Sequence, residues 1–321
     1  LIEATAPSTI SNLTIDGKGV YTGEYGIRGI YTIGTGDVTV KNVEIVNCTY
    51  AINANNDGKI TVLNSTLQGW NSYSDDTEAY FENVKFIEGE FDNFRPYTNT
   101  VCKNCDFGEG VVIDLSCMVD GATIKFVNCT VAGVPMTAAN LSDAEGVNVA
   151  IDLVVTEAPA NDGLVQNVNK VENMTIDGGN YRTTDDKALR GIYITAGGNY
   201  TVNNVIVRNV TYALNVNTTA PVTLAVSNST LEGWSSYGDS TTASFENVKF
   251  ECGAYANFKP YTSTTLTNCS FEAGFMIDFT KISEGEKLTF VNCTYNGTVL
   301  TAENFASTVV IDGDCTGKIA F

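Results

Sequence analysis

The chain has 321 residues, of which 18 are basic and 37 acidic, so its formal net charge is −19. This charge repels phosphate backbones and anionic lipid headgroups, which argues against nucleic-acid and membrane-surface partners. Histidine is absent, which excludes Ser-His-Asp and Cys-His nucleophile systems and every metal site that needs an imidazole. No run of about 18 apolar residues occurs, so we expect no insertion into a membrane.

The chain is internally duplicated. Five segments of the first half return in the second half at an offset that grows from 161 to 164 residues: Asn12–Gly17 as Asn173–Gly178, Arg28–Tyr31 as Arg190–Tyr193, Ser65–Trp70 as Ser229–Trp234, Phe81–Phe86 as Phe245–Phe250 and Phe126–Thr130 as Phe290–Thr294. We therefore predict two modules of the same architecture, residues 1–153 and 154–321.

A shorter repeat, Asn-x-x-apolar, runs through each copy with most spacings between 19 and 24 residues. Its members are Asn12, Asn42, Asn64, Asn83, Asn104 and Asn128, then Asn173, Asn204, Asn228, Asn247, Asn268 and Asn292. A period of this length predicts a solenoid, and the alternating apolar residues on both sides of each Asn predict short β-strands. Because Asn tolerates the left-handed conformation, we place each one at a tight bend, where its side chain can hydrogen-bond from coil to coil.

Coils with an Asn at a two-strand bend resemble the right-handed parallel β-helix of the pectin lyase-like superfamily. The resemblance covers nearly the whole chain and implies an all-β, right-handed parallel β-helix with an Asn ladder. That fold carries lyases, hydrolases, adhesins and structural spikes, so the resemblance leaves the function open. We expect a non-catalytic, adhesin-like bacterial member.

Four of the nine cysteines follow a ladder Asn directly, at Cys105, Cys129, Cys269 and Cys293. Their column otherwise holds mostly apolar residues, so we predict buried thiols that pack as small hydrophobic groups. Cys102 and Cys105 have the spacing of a redox or metal motif, but Leu266 replaces Cys102 in the second copy. We expect no metal and no cofactor.

A third strand in each coil predicts an outward-facing column of side chains. In Tyr212–Asn217, Leu214 and Val216 must face the core, so Asn215 and Asn217 face out. The same parity predicts the column Tyr31, Asn53, Tyr73, Arg95, Asp114 in the first copy and Tyr193, Asn215, Tyr237, Lys259, Asp278 in the second. A neighbouring column holds Asn55/Asn217, Asp75/Asp239 and Tyr97/Tyr261, and Trp70 and Trp234 are placed where the third coil turns onto this face.

Aromatic rings among a few polar groups are typical of ligand sites. Exposed positions usually diverge, so their persistence in both copies points to a shared role. Coils about 4.8 Å apart spread the column over roughly 19 Å, which suits several sugar rings. We predict binding of a polysaccharide or cell-surface glycan by Tyr31, Asn53, Trp70, Tyr73, Arg95, Tyr97, Asp114, Tyr193, Asn215, Trp234, Tyr237, Lys259, Tyr261 and Asp278.

Two alternatives remain open. The first is a polysaccharide lyase with Arg95 or Lys259 as the base, or a glycoside hydrolase, although Asp75 and Asp114 lie two coils, about 10 Å, apart, which is marginal for a pair of catalytic carboxylates. The second is a structural spacer, because stacked aromatic and amide side chains also stabilise a sheet. Acidity, Thr and Asn richness and the resemblance lead us to expect a secreted or cell-surface protein.

Overall fold

The computed structural model describes residues 1–19, 26–72, 76–89, 93–142, 146–238, 240–255 and 257–321. The protein is all-β, with 54% strand and 2% helix, and its parallel sheets form a β-solenoid of about 11 turns. The predicted parallel β-solenoid is thereby confirmed. The chain divides into two compact units, Leu1–Asp152 and Leu153–Phe321. Within the described residues, no helix is both long and apolar enough to cross a membrane.

The first unit begins at β1 and contains one short 3-10 turn, Ala138–Asn140. Its strands are β1 (Ile2–Ala4), β2 (Ser8–Asp16), β3 (Arg28–Thr35), β4 (Val38–Val46), β5 (Tyr50–Leu67), β6 (Trp70–Ser72), β7 (Thr77–Phe86), β8 (Asn93–Arg95), β9 (Thr100–Lys103), β10 (Asp106–Phe107), β11 (Val112–Ile113), β12 (Thr123–Val127), β13 (Thr130–Val131), β14 (Val134–Pro135) and β15 (Asn148–Val154).

The second unit repeats this order and carries a short helix, α1 (Phe305–Thr308), near its end. Its further strands are β16 (Gly163–Gln166), β17 (Lys170–Asp177), β18 (Arg190–Ile194), β19 (Gly198–Arg208), β20 (Tyr212–Val216), β21 (Val222–Ser227), β22 (Thr230–Leu231), β23 (Trp234–Ser236), β24 (Thr241–Glu246), β25 (Lys249–Phe250), β26 (Asn257–Lys259), β27 (Thr264–Thr267), β28 (Ser270–Phe271), β29 (Met276–Asp278), β30 (Leu288–Val291), β31 (Thr294–Tyr295), β32 (Thr298–Val299), β33 (Val310–Asp312) and β34 (Ile319–Ala320).

Each unit stacks two kinds of parallel strand. The strands that flank the ladder Asn residues pair from coil to coil, as in β2–β4 and β19–β21. The short third strands form a second parallel stack, which we call the short-strand sheet: β1, β3, the start of β5, β6, β8 and β11 in the first unit, and β16, β18, β20, β23, β26, β29 and β33 in the second. The candidate site lies on the outer side of this sheet.

The twelve ladder asparagines all have positive φ, between 49° and 57°. Several of their side chains link neighbouring coils, as where Asn42 Nδ2 donates to Asn12 Oδ1 at 3.0 Å and Asn204 Nδ2 donates to Asn173 Oδ1 at 2.9 Å. Asn adopts this conformation more readily than most residues because its short polar side chain can hydrogen-bond locally. The predicted bends are confirmed, and the ladder runs along the exposed edge of the coils.

Phenylalanine rings fill the interior of both units. In the second unit, Phe250 stacks on Phe271 at 4.9 Å and meets Phe258 edge-on at 5.1 Å. The four cysteines that follow a ladder Asn are buried and unpaired, as predicted: Cys105, Cys129, Cys269 and Cys293.

Trp70 and Trp234 belong to this core, and their predicted position on the outer face is wrong. Both indoles are buried, and they meet Phe81 and Phe245 edge-on at 4.9 Å and 5.5 Å. Each Trp is the first inward residue of its short strand and pairs with the inward Ile52 or Leu214 of the preceding coil. Burying a large apolar ring in the core stabilises the protein more than leaving the ring exposed at the surface.

Candidate functional site

Backbone pairing in the short-strand sheet decides which side chains share a column. In the first unit the outward column is Tyr31, Asn53, Asn71, Arg95 and Asp114. In the second it is Tyr193, Asn215, Ser235, Lys259 and Asp278. The third coil therefore contributes Asn71 and Ser235 to the column, where the sequence predicted Tyr73 and Tyr237.

The error has a simple cause. Because Trp70 and Trp234 start the inward row, the outward residue of the third coil comes one place after each Trp and not three. Tyr237 lies one outward position further along, beside Asn217, and its backbone N–H donates to Val216 O at 2.8 Å. Tyr73, Asp75 and Asp239 lie outside the described residues.

An arginine covers the amide of each column. Arg28 Nε donates to Asn53 Oδ1 at 2.7 Å, and Arg190 Nε donates to Asn215 Oδ1 at 2.9 Å. Each amide then donates from Nδ2 to a main-chain oxygen of the third coil, at 3.3 Å to Asn71 and 3.0 Å to Ser235. Asn53 and Asn215 consequently face outward in the sheet but are buried beneath other side chains.

The same arginines stack on tyrosine rings. The Arg28 guanidinium carbon lies 4.9 Å from the Tyr31 ring centre, and that of Arg190 lies 4.6 Å from Tyr193. Arg190 Nη1 also donates to Asp162 Oδ2 at 2.9 Å. Sequence reasoning had not placed Arg28 and Arg190 in the site, although their presence in the unchanged Arg-Gly-Ile-Tyr repeat was the signal that could have found them.

Four tyrosines of the second unit meet on the outer side of the short-strand sheet, and we call them the tyrosine face: Tyr212, Tyr237, Tyr255 and Tyr261. Tyr212 stacks on Tyr255 with ring centres 5.8 Å apart, and Tyr237 meets Tyr261 at 5.7 Å. The Tyr237 hydroxyl donates to the Tyr212 hydroxyl at 3.4 Å. Tyr237 and Tyr255 remain 38% and 49% exposed, so the face presents aromatic surface to solvent.

Burial raises the pKa of Tyr212 to about 12. Tyr212 and Tyr255 were not among the predicted site residues. Tyr212 could have been found because it is in register with Arg190, as Tyr50 is with Arg28 in the first unit. Tyr255 could not, because it lies between two short strands. Tyr97 of the first unit, the counterpart of Tyr261, is half-buried.

The column ends in a cation–carboxylate pair in both units. Lys259 Nζ lies 2.7 Å from Asp278 Oδ2, whereas Arg95 Nε lies 3.5 Å from Asp114 Oδ2. The hydrogen bond to Asp278 raises the pKa of Lys259. Burial acts to raise the pKa of Asp278, but hydrogen bonds from Lys259 and Thr280 prevail and hold it below its usual value. The pair is thus fixed in its charged form.

Within the described ranges, no three His, Cys, Asp or Glu side chains are grouped so that they could hold a metal ion. Comparison of the chain with family models, with curated proteins and with solved structures finds no match.

Proposed function

We propose that the protein binds carbohydrate without catalysis through the outer side of its short-strand sheets. The tyrosine face carries this proposal: four rings in contact, two of them well exposed, beside the polar groups of the column. Aromatic faces pack on the C–H surfaces of sugars, while hydroxyl, amide and charged groups satisfy sugar hydroxyls. Tyrosine supplies both kinds of contact from a rigid side chain.

The pKa directions favour binding over catalysis. An elimination base must release its proton near neutral pH, yet the contact with Asp278 raises the pKa of Lys259. A hydrolase acid must hold a proton, yet the pKa of Asp278 is lowered. Both shifts oppose the lyase and hydrolase alternatives in the second unit.

The proposal has three further parts: kinship with the pectin lyase-like superfamily, bacterial origin and a location at the cell surface. The Asn ladder and the parallel solenoid support the kinship. The excess of acidic residues and the abundance of Thr and Asn support export, and a cell surface is where polysaccharide is met.

The Tyr255→Ala variant tests the proposal against a panel of immobilised xylan, mannan, β-glucan, chitin and polygalacturonate. Tyr255 is an exposed ring with one described ring partner, so its loss should cost less than about 1 kcal/mol of stability. If the face binds sugar, affinity for the polysaccharide that the parent binds should fall about tenfold or more. Affinity is measured by titration calorimetry and stability by thermal unfolding.

Tyr181→Ala is the matched control, because Tyr181 is 37% exposed but lies outside the tyrosine face. Its affinity should equal that of the parent. A parent protein that binds no member of the panel, or a Tyr255→Ala variant that binds as the parent does, overturns the proposal. Release of unsaturated products from polygalacturonate, followed by ultraviolet absorbance, would instead establish the lyase alternative.

A further inference from the structure

Ser235 lies at the centre of the second column, between Asn215 and Lys259 in backbone register. Its side chain belongs to a residue that is only 2% exposed, and its hydroxyl has no hydrogen-bond partner among the described residues. The nearest amide is committed elsewhere, because Asn215 Nδ2 donates to the main-chain oxygen of Ser235. A buried hydroxyl without a partner lowers stability, so its presence at this position calls for an explanation.

Two tyrosines of the tyrosine face begin on either side of this hydroxyl along the strands. Tyr212 lies three residues before Asn215 in its strand, and Tyr237 lies two residues after Ser235 in the next coil. The hydroxyls of Tyr212 and Tyr237 meet at 3.4 Å, so this contact joins two side chains that start on opposite sides of Asn215 and Ser235 along the paired strands. That distance is long for an O–H···O hydrogen bond, so the contact is weak, and what mainly holds the Tyr237 ring is its contact with Tyr261 at 5.7 Å.

We propose that Ser235 is a ligand-binding residue of the tyrosine face, whose hydroxyl hydrogen-bonds a hydroxyl group of the bound saccharide when the Tyr237 ring turns aside. The inference rests on the proposed carbohydrate binding and adds a specific residue to it. In this proposal the ligand supplies the hydrogen-bond partner that the Ser235 hydroxyl lacks within the protein. Asn215, Ser235 and Lys259 then form the floor of the site. Asn215 and Lys259 keep their protein partners and hold the two sides of the floor.

The same position distinguishes the two units. The first unit has Asn71 where the second has Ser235, so one floor carries an amide and the other a hydroxyl. An amide is larger and extends further from the main chain than a hydroxymethyl group. The two units therefore offer different hydrogen-bonding groups at this position.

The Ser235→Ala variant separates this role from a structural one. Removing a hydroxyl that has no protein partner should leave the melting temperature unchanged or raise it. Affinity for the panel polysaccharide that the parent binds should fall about tenfold, because the sugar hydroxyl loses its partner. Affinity should thus fall without a loss of stability, a combination that a purely structural serine does not produce.

Ser229→Ala is the matched control. Ser229 is a buried serine of the same unit whose hydroxyl donates to Ser227 O at 2.6 Å and accepts from the Val205 N–H at 3.1 Å. Its replacement should lower the melting temperature and leave affinity unchanged. Tyr237→Phe keeps the ring but removes the hydroxyl that contacts Tyr212, so association should become faster.

The outcomes separate the two proposals. If the parent binds a polysaccharide and Ser235→Ala binds it equally well, the role of Ser235 is refuted and carbohydrate binding stands. The role is also refuted if Ser235→Ala loses stability as Ser229→Ala does, because its hydroxyl then has a structural partner. If the parent binds no polysaccharide, both proposals fall.

Discussion

Among single residues, Lys259 and Arg95 occupy the same register position in the two units but have different surroundings. Lys259 lies 2.7 Å from Asp278, whose side chain is 3% exposed. Arg95 lies 3.5 Å from the more exposed Asp114 and also donates from Nε to Cys117 Sγ at 3.0 Å. A carboxylate deep in the protein depends on its cation far more than one near solvent, because water replaces the lost partner only at the surface.

Replacement of each cation by an apolar side chain of similar length should expose this difference. Lys259→Met leaves Asp278 buried, with its Thr280 contacts as the remaining partners among the described residues, so the free energy of unfolding should fall by about 1–3 kcal/mol. Arg95→Met should lower it by less than about 1 kcal/mol. Urea unfolding at pH 7 measures the free energy of unfolding of both variants. Equal losses would contradict the expectation that the buried Asp278 depends more on its cation than the more exposed Asp114 does.

The pH dependence of stability follows from the same pair. Because the pKa of Asp278 is lowered in the folded state, its contribution is present at neutral pH and is lost as the pH falls below about 4. Lys259→Met removes the hydrogen bond from Lys259 that helps to lower the pKa of Asp278. On acidification from pH 7, the free energy of unfolding should therefore fall less in the variant than in the parent.

At the scale of the elements, the Asn ladder combines a backbone requirement with a side-chain one. Asn83 has φ of 54°, and it both donates to Asn64 Oδ1 at 3.0 Å and accepts from Asn104 Nδ2 at 3.3 Å. The left-handed backbone turns the chain between two strands, and the amides tie that turn to the coils on both sides. Both the bend and the amide contacts lie at the exposed edge, so each adds only modestly to the stability of one coil. The contribution is repeated from coil to coil along the solenoid.

Two substitutions of Asn83 separate these contributions. Asn83→Gly keeps the left-handed bend at no steric cost and removes the two amide contacts, so it should lower stability by about 0.5–1.5 kcal/mol. Asn83→Ala keeps the left-handed Cβ but loses the polar side chain that makes this conformation tolerable for Asn, so it should lose about 1–2 kcal/mol more than Asn83→Gly. Thermal or urea unfolding measures the difference. Equal stabilities of the two variants would mean that the left-handed bend does not favour glycine over alanine.

Over the whole molecule, the charge of −19 sets which polysaccharides can approach. The column cation Lys259 is already paired with Asp278, and Arg190, which covers Asn215, is paired with Asp162. The tyrosine face therefore offers polar and aromatic contacts without an excess of positive charge. A neutral saccharide suits such a surface better than a polyuronate, which the net charge repels.

Salt dependence tests this preference. Raising sodium chloride from about 10 mM to about 150 mM screens long-range repulsion, so any affinity for polygalacturonate should increase. Affinity for a neutral polysaccharide of the same panel should hardly change. Tight binding of polygalacturonate at low salt that weakens as salt is added would contradict the expectation and point to unpaired cations at the site.

Periodic and local features were determined by the sequence itself: the duplication, the coil period, the Asn bends and the inward cysteines. They could be predicted because alternation along a strand and tolerance of a left-handed backbone are properties of a few neighbouring residues. The same parity placed Tyr31, Asn53 and Arg95 correctly in one outward column. Only the tertiary structure decided that Asn71 and Ser235, next to buried tryptophans, complete the columns, and that Arg28 and Arg190 cover Asn53 and Asn215. Parity along a strand tells which way a side chain points, but its neighbour on the next coil depends on core packing and on the length of the intervening loop.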